Sequence, residues 1–142
     1  MLNWFSQSPQ SDSVVITGAS TGIGAACALA LDKLGYRVFA GVRHSADGER
    51  LQQQAGPRLM PIRLDVTDAA SISAASHTVA AMVGERGLAG LVNNAGIGVA
   101  GPIELLPLAD WRRQFEVNVF GLIAVTQTFL PLIRTGRGRI IN

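Results

Sequence analysis

The sequence predicts an α/β fold built on a doubly wound parallel sheet, and three observations carry that expectation. Short β-branched runs alternate with Ala/Leu-rich helical stretches along the chain. A glycine cluster sits where the first of those runs gives way to the first helix. The composition, 48% hydrophobic and only 15% charged, suits a central sheet covered on both faces.

Taken in order, residues 1–12 form a polar stretch, read as a flexible leader in which Trp4 and Phe5 are the only bulky groups available to dock against the body. One domain is expected over residues 13–142. Its first βαβ unit is Ser13–Thr17, Gly22–Leu34 and Arg37–Val42. A weaker helix is predicted over Ala46–Ala55, a strand over Arg58–Leu64, and a helix over Ala69–Glu85 with Asp68 as its N-cap. The strand Gly90–Asn93, a loop over Ala95–Pro107, a long apolar-periodic helix over Leu108–Leu132 and a last strand over Gly138–Asn142 complete the pattern. Right-handed crossovers in two oppositely wound halves give five parallel strands in the order 3-2-1-4-5.

The strongest chemical signal is Thr17-Gly18-Ala19-Ser20-Thr21-Gly22-Ile23-Gly24 at the first strand-to-helix junction. Gly18 accepts a tight turn that a β-carbon would oppose, Gly22 lets backbone approach a pyrophosphate, and Gly24 lets the helix pack closely on the sheet. The helix start offers free N–H groups and partial positive charge to the phosphates. The spacing G-x-x-x-G-x-G differs from the common dinucleotide G-x-G-x-x-G, and no Gly-Lys-Ser/Thr ending follows, which disfavours nucleotide hydrolysis. An ordinary glycine-rich turn is the alternative for the glycines alone.

This octapeptide resembles the TGxxxGIG motif of the short-chain dehydrogenase/reductase family, whose fold is Rossmann-like, and Asn93-Asn94-Ala95-Gly96 resembles that family's NNAG motif. The likeness runs through Asp65-Val66-Thr67 and Asn118-Val119-Phe120-Gly121 to Gly138-Arg139-Ile140-Ile141-Asn142. It implies that Gly18, Ser20, Thr21, Gly22, Ile23 and Gly24 surround cofactor phosphates and ribose, and that Asp65 and Val66 border adenine. Asn94, Ala95 and Gly96 are implied beside the inner ribose and nicotinamide. The topology agrees, because strands 1, 3 and 4 end at the crevice where the winding reverses. Asp65 by itself reads equally as a turn or helix cap.

The second strand ends Val38-Phe39-Ala40-Gly41-Val42-Arg43, without a carboxylate. An acid there would bind a free ribose 2′-hydroxyl, whereas a guanidinium pairs with a 2′-phosphate through a forked, charged contact. NADP(H) is therefore the expected cofactor, with NAD(H) as the alternative and a solvated strand-end role as the competing reading of Arg43. His44 is a surface residue that can assist neutralisation. Thr21 stands where many NADP-preferring relatives carry a basic residue.

Family members use a Tyr, a Lys four residues later, a Ser and an Asn, and of these only the Asn has a counterpart, Asn118. An Asn inside a helix is otherwise disfavoured. Tyr36 is the only tyrosine, no Tyr-x-x-x-Lys occurs, and the last serine is Ser76. The domain is accordingly expected to be C-terminally incomplete, its complete parent interconverting an alcohol and a carbonyl while the 142-residue chain is inactive or very weak. A noncatalytic nucleotide-binding or regulatory domain is the rival expectation.

Bulk properties narrow the remaining classes. Net charge is +2, and the basic residues are eleven scattered Arg and the single Lys33, which is no nucleic-acid patch. Cys27 is the sole cysteine, so neither an intramolecular disulfide nor a Cys-rich metal site is available, and no metal is expected. No run of about 18 consecutive apolar residues suggests a membrane span, and a cytoplasmic location is expected. The segment Gly101–Leu106, with Trp111 and Phe115, is similar to members acting on hydroxysteroids, retinoids or other lipophilic alcohols, while docking of the long helix is the favoured reading of these apolar residues. By the same resemblance Trp111, Phe115 and Val119 are candidates for a homo-oligomer interface, with core packing as the plainer alternative.

Overall fold

The computed structural model describes residues 12–142, so the leader proposed for residues 1–12, with Trp4 and Phe5, lies almost wholly outside the described residues. The elements run β1 (Ser13–Ile16), α1 (Gly22–Lys33), β2 (Arg37–Val42), α2 (Ser45–Gln52), β3 (Leu59–Arg63), α3 (Ala69–Val83) and β4 (Gly90–Val92). They continue with α4 (Leu108–Phe115), a π-helical turn over Glu116–Gly121, α5 (Leu122–Thr135) and β5 (Arg139–Ile141). All strand pairs are parallel, and the order is β3-β2-β1-β4-β5.

Alternation along the inner strands sends side chains to two separate apolar layers. Val15 and Phe39 face α3 and α5, where they meet Val79, Val125 and Phe129. Val14, Ile16, Val38 and Ala40 face the other way, toward Ala28 and Leu51 of α1 and α2. Both faces of β1 and β2 are covered, which is why these strands read as continuous apolar runs, whereas β5 is exposed. Arg43, Asp65 and Asn94 all stand just past the carboxyl ends of their strands, on the same edge of the sheet.

The stretch expected as one uniform helix from Leu108 to Leu132 is helical throughout, but a π turn interrupts it and it extends to Thr135. The wider turn re-phases the two halves. α4 buries none of its residues, whereas α5 buries Val125, Phe129 and Ile133 as a single i, i+4, i+8 stripe. By length and composition alone Leu108–Thr135 is long and apolar enough to cross a membrane. The buried stripe of α5 packs into the core beside Val15 and Phe39, a use for that apolarity within the fold.

Candidate functional site

Thr17 carries the chain off β1 into the glycine turn and is only 1% exposed, so its hydroxyl needs internal partners. It accepts the backbone N–H groups of Asn94 at 3.0 Å and Ala95 at 2.9 Å, and donates to the Val92 carbonyl at 3.4 Å. Asn94 answers across the same gap. Its side-chain amide donates to the carbonyls of Thr17 and Gly18, each at 3.0 Å. The turn after β1 and the loop after β4 are thereby fixed to one another.

Two glycines make that contact sterically possible. Gly18 has φ +65°, and a Cβ on it would stand 2.7 Å from Ala95 Cα. A Cβ on Gly24 would strike the Asn94 amide nitrogen and the Gly18 carbonyl oxygen, the two atoms that bond to each other. α1 then begins after Thr21, whose side chain makes no capping bond, and without an acid in its first turn. The contrast is α3, whose Asp68 carboxylate accepts the Ala70 N–H. The start of α1 keeps its partial positive charge for whatever occupies the space beside it.

That space is a cleft of about 550 Å³, a volume in the range of small-molecule sites. It lies between the ends of β1 and β4, where the strand order reverses. Gly18, Ser20 and Thr21 line it from the first turn and Arg43 from the end of β2. Asp65 and Val66 border it after β3, and Asn94, Ala95 and Gly96 after β4. Four groups anticipated around phosphates, ribose or the reacting end do not line it. Gly24 is buried behind the turn, Ile23 is 82% exposed, Gly22 stands in open space with φ +59°, and Asn118 lies beyond Val117. For Gly24 the expected role of close packing stands, with the Asn94 amide and the Gly18 carbonyl as its neighbours.

Asp65 serves first as a turn-former. One carboxylate oxygen accepts the Thr67 N–H at 2.9 Å and the Thr67 hydroxyl at 2.8 Å. The backbone bond from Thr67 is the main reason its carboxyl is held below the usual value, opposed by partial burial and supported by the Thr67 hydroxyl, Arg43 and Arg63.

Asn118 sits in the π turn and grips the loop after β4. Its amide oxygen accepts the Ile97 N–H at 2.9 Å, and its nitrogen donates to the Ile97 carbonyl at 2.8 Å. Asn118 is exposed. One turn earlier, Gln114 repeats the same two-bond grip on Val99, at 3.1 and 3.0 Å. Two side-chain amides thus hold alternate residues of one extended strip.

Sequence reasoning missed Thr17, Gln114 and the helix residues Arg113, Glu116 and Val117 as parts of this region. Thr17 carried a usable signal, a polar residue ending an apolar strand. Among the described residues no group of three or more His, Cys, Asp or Glu is placed to hold a metal.

The sequence pattern of the short chain dehydrogenase family matches residues 12–142. The chain belongs to that family. Among curated family members, it is 45% identical to dehydrogenase/reductase SDR family member 9 of Bos taurus over 91% of its length and 41% of the relative's. It is 43% identical to retinol dehydrogenase 5 of Mus musculus, with 94% and 43% covered, and 42% identical to 17-beta-hydroxysteroid dehydrogenase type 2 of Homo sapiens, with 91% and 34% covered. The chain spans between about one-third and two-fifths of the length of these relatives. A short-chain dehydrogenase from Streptomyces avermitilis superposes with a TM-score of 0.81 at 34% identity, covering 91% of this chain and 47% of that one. The short-chain dehydrogenase motifs Thr17–Gly24 and Asn93–Gly96 are the two segments that Thr17 and Asn94 bind together.

Proposed function

We propose that this chain is the cofactor-binding part of an NADP(H)-dependent oxidoreductase that interconverts an alcohol and a carbonyl. Arg43 is the observation that carries the choice of cofactor. It stands on the cleft wall at the end of β2, where no carboxylate is present to meet a free 2′-hydroxyl. The fit of the dinucleotide rests on the shape of the first turn: a Cβ on Gly18 would fill the contact with Ala95, and the start of α1 is uncapped.

When bound, the nicotinamide supplies or takes up the hydride. Ser20, Thr21 and the α1 start hold the phosphates, Arg43 the 2′-phosphate, and Asp65 and Val66 the adenine edge. Ala95 and Gly96 flank the inner ribose with backbone, since the Asn94 amide is spent on Thr17 and Gly18. Asn118 fixes the strip at Ile97 and so positions the loop after β4. Without Tyr-x-x-x-Lys in its 142 residues, the chain binds cofactor without measurable turnover.

The relatives named for retinol and 17-beta-hydroxysteroid support a lipophilic alcohol for the complete protein. Exposed Ile103 and Leu105 after β4 agree with that class. Trp111, Phe115 and Val119, all exposed on α4 and the π turn, support a second copy as partner, testable by light scattering. Calorimetry tests the cofactor assignment. NADPH is expected to bind at least tenfold more tightly than NADH, and Arg43→Asp to reverse the order. Equal affinities in the unaltered chain, or no change on substitution, would overturn it.

A further inference from the structure

Arg43 lines two spaces at once, the cleft described above and a shallower groove between α2 and the edge strand β3. His44 and Ser45 form one wall of that groove, and Pro61 and Arg63 the other. The placement of Arg63 follows from strand register. It pairs with Val42, the residue before Arg43, so the two guanidinium-bearing residues end neighbouring strands. Pro61 lies two residues earlier in β3, and the Cβ that Gly48 of α2 lacks would press on its ring, so Pro61 and Arg63 share the α2 side of the sheet.

Neither guanidinium makes an ion pair at hydrogen-bond distance among the described residues, and both are exposed. Their charge nonetheless converges, since both lower the Asp65 carboxyl. Glu49 is the one acid on the groove wall. The Asp47 carboxylate nearby is engaged by Arg50.

We infer that this groove seats a phosphate monoester, held between Arg43 and Arg63, with Arg63 as a second determinant of cofactor choice. The inference rests on the NADP(H) assignment and adds a residue to it. Two forked cations lining one groove match the several acceptor oxygens of a doubly charged phosphate, and a 2′-hydroxyl offers no such partner. Val42 and Arg43 line both spaces, so the groove opens beside the cleft at the end of β2.

The test uses adenosine fragments, which need only this end of the site. Calorimetric titration of the full chain with 2′,5′-ADP and with 5′-AMP measures the contribution of the 2′-phosphate. Arg63→Ala is expected to weaken 2′,5′-ADP about tenfold and leave 5′-AMP unchanged, which also reports that the fold survives. Arg63→Lys should recover part of the loss, and Glu49→Gln should strengthen 2′,5′-ADP two- to threefold on an order-of-magnitude basis. Undiminished discrimination in Arg63→Ala, with discrimination lost in Arg43→Ala, would overturn the role of Arg63 while leaving the NADP(H) assignment intact. If the unaltered chain binds both fragments equally, the assignment itself fails and the inference with it. Should Arg63→Ala not fold, the lysine and Glu49 variants decide the matter by the same ratio.

Discussion

Replacing Gly24 by Ala tests whether the glycine turn and the loop after β4 form one unit. The added methyl would meet the Asn94 amide nitrogen and the Gly18 carbonyl oxygen, with the Gly18 carbonyl carbon 3.0 Å away. Two of these atoms are backbone and cannot swing aside, so the glycine turn must shift along with the Asn94 side chain. The Asn94 amide would give up its bonds to Thr17 and Gly18. Each such bond contributes about 0.5–1.5 kcal/mol, and overpacking a close-packed contact costs about 1–3 kcal/mol. Alanine's better helix propensity returns about 1 kcal/mol, leaving a net loss of about 1–5 kcal/mol. Urea unfolding followed by circular dichroism measures this directly. Gly22→Ala is the control, because no atom lies within 4 Å of its added methyl and only its φ of +59° opposes a side chain. That strain amounts to about 1–2 kcal/mol. A Gly24→Ala variant within about 0.5 kcal/mol of the unaltered chain, which is the scatter of ordinary surface substitutions, would refute the reasoning.

Phe129→Ala, at a residue 0% exposed between α5 and the sheet, should cost about 3–5 kcal/mol of unfolding free energy in the same assay. Asn118→Leu removes both bonds to Ile97, so hydrogen exchange at the Ile97 amide should accelerate while global stability falls by less than about 2 kcal/mol. The Asp65 carboxyl is depressed in the fold, so its stabilisation is complete above the ordinary value of 3.8 and disappears as pH falls through the lowered value. Asp65→Asn should therefore flatten the acid side of the urea midpoint against pH. The change should be small, because the group is largely solvent-screened.

Local pattern carried much of the architecture. Runs such as Val14–Ile16 and Val38–Val42 are apolar on both faces because both faces are covered, and the strand order followed from regular alternation. The cleft was legible where backbone chemistry is written in residue type, at Gly18, Arg43 and Asn94–Gly96. Contacts between distant segments were not. The π turn carries the grip of Asn118 on Ile97, 21 residues away, and a 3.6-residue periodicity gives no warning of either. Gln114 likewise reads as one more polar helix residue until Val99 is placed against it. The predicted helix Ala46–Ala55 also ends early, at Gln52, because Gln53–Ala55 leave it through turns closed by the Leu51 and Gln52 carbonyls.

The central claim concerns where a nicotinamide dinucleotide phosphate sits, and amide chemical-shift mapping by NMR during NADPH titration addresses it most directly. The account predicts saturable shifts at Gly18, Ser20, Arg43, Ala95 and Gly96, with NADH producing weaker changes near Arg43. Shifts that fail to saturate, or that cluster away from the ends of β1, β2 and β4, would contradict it.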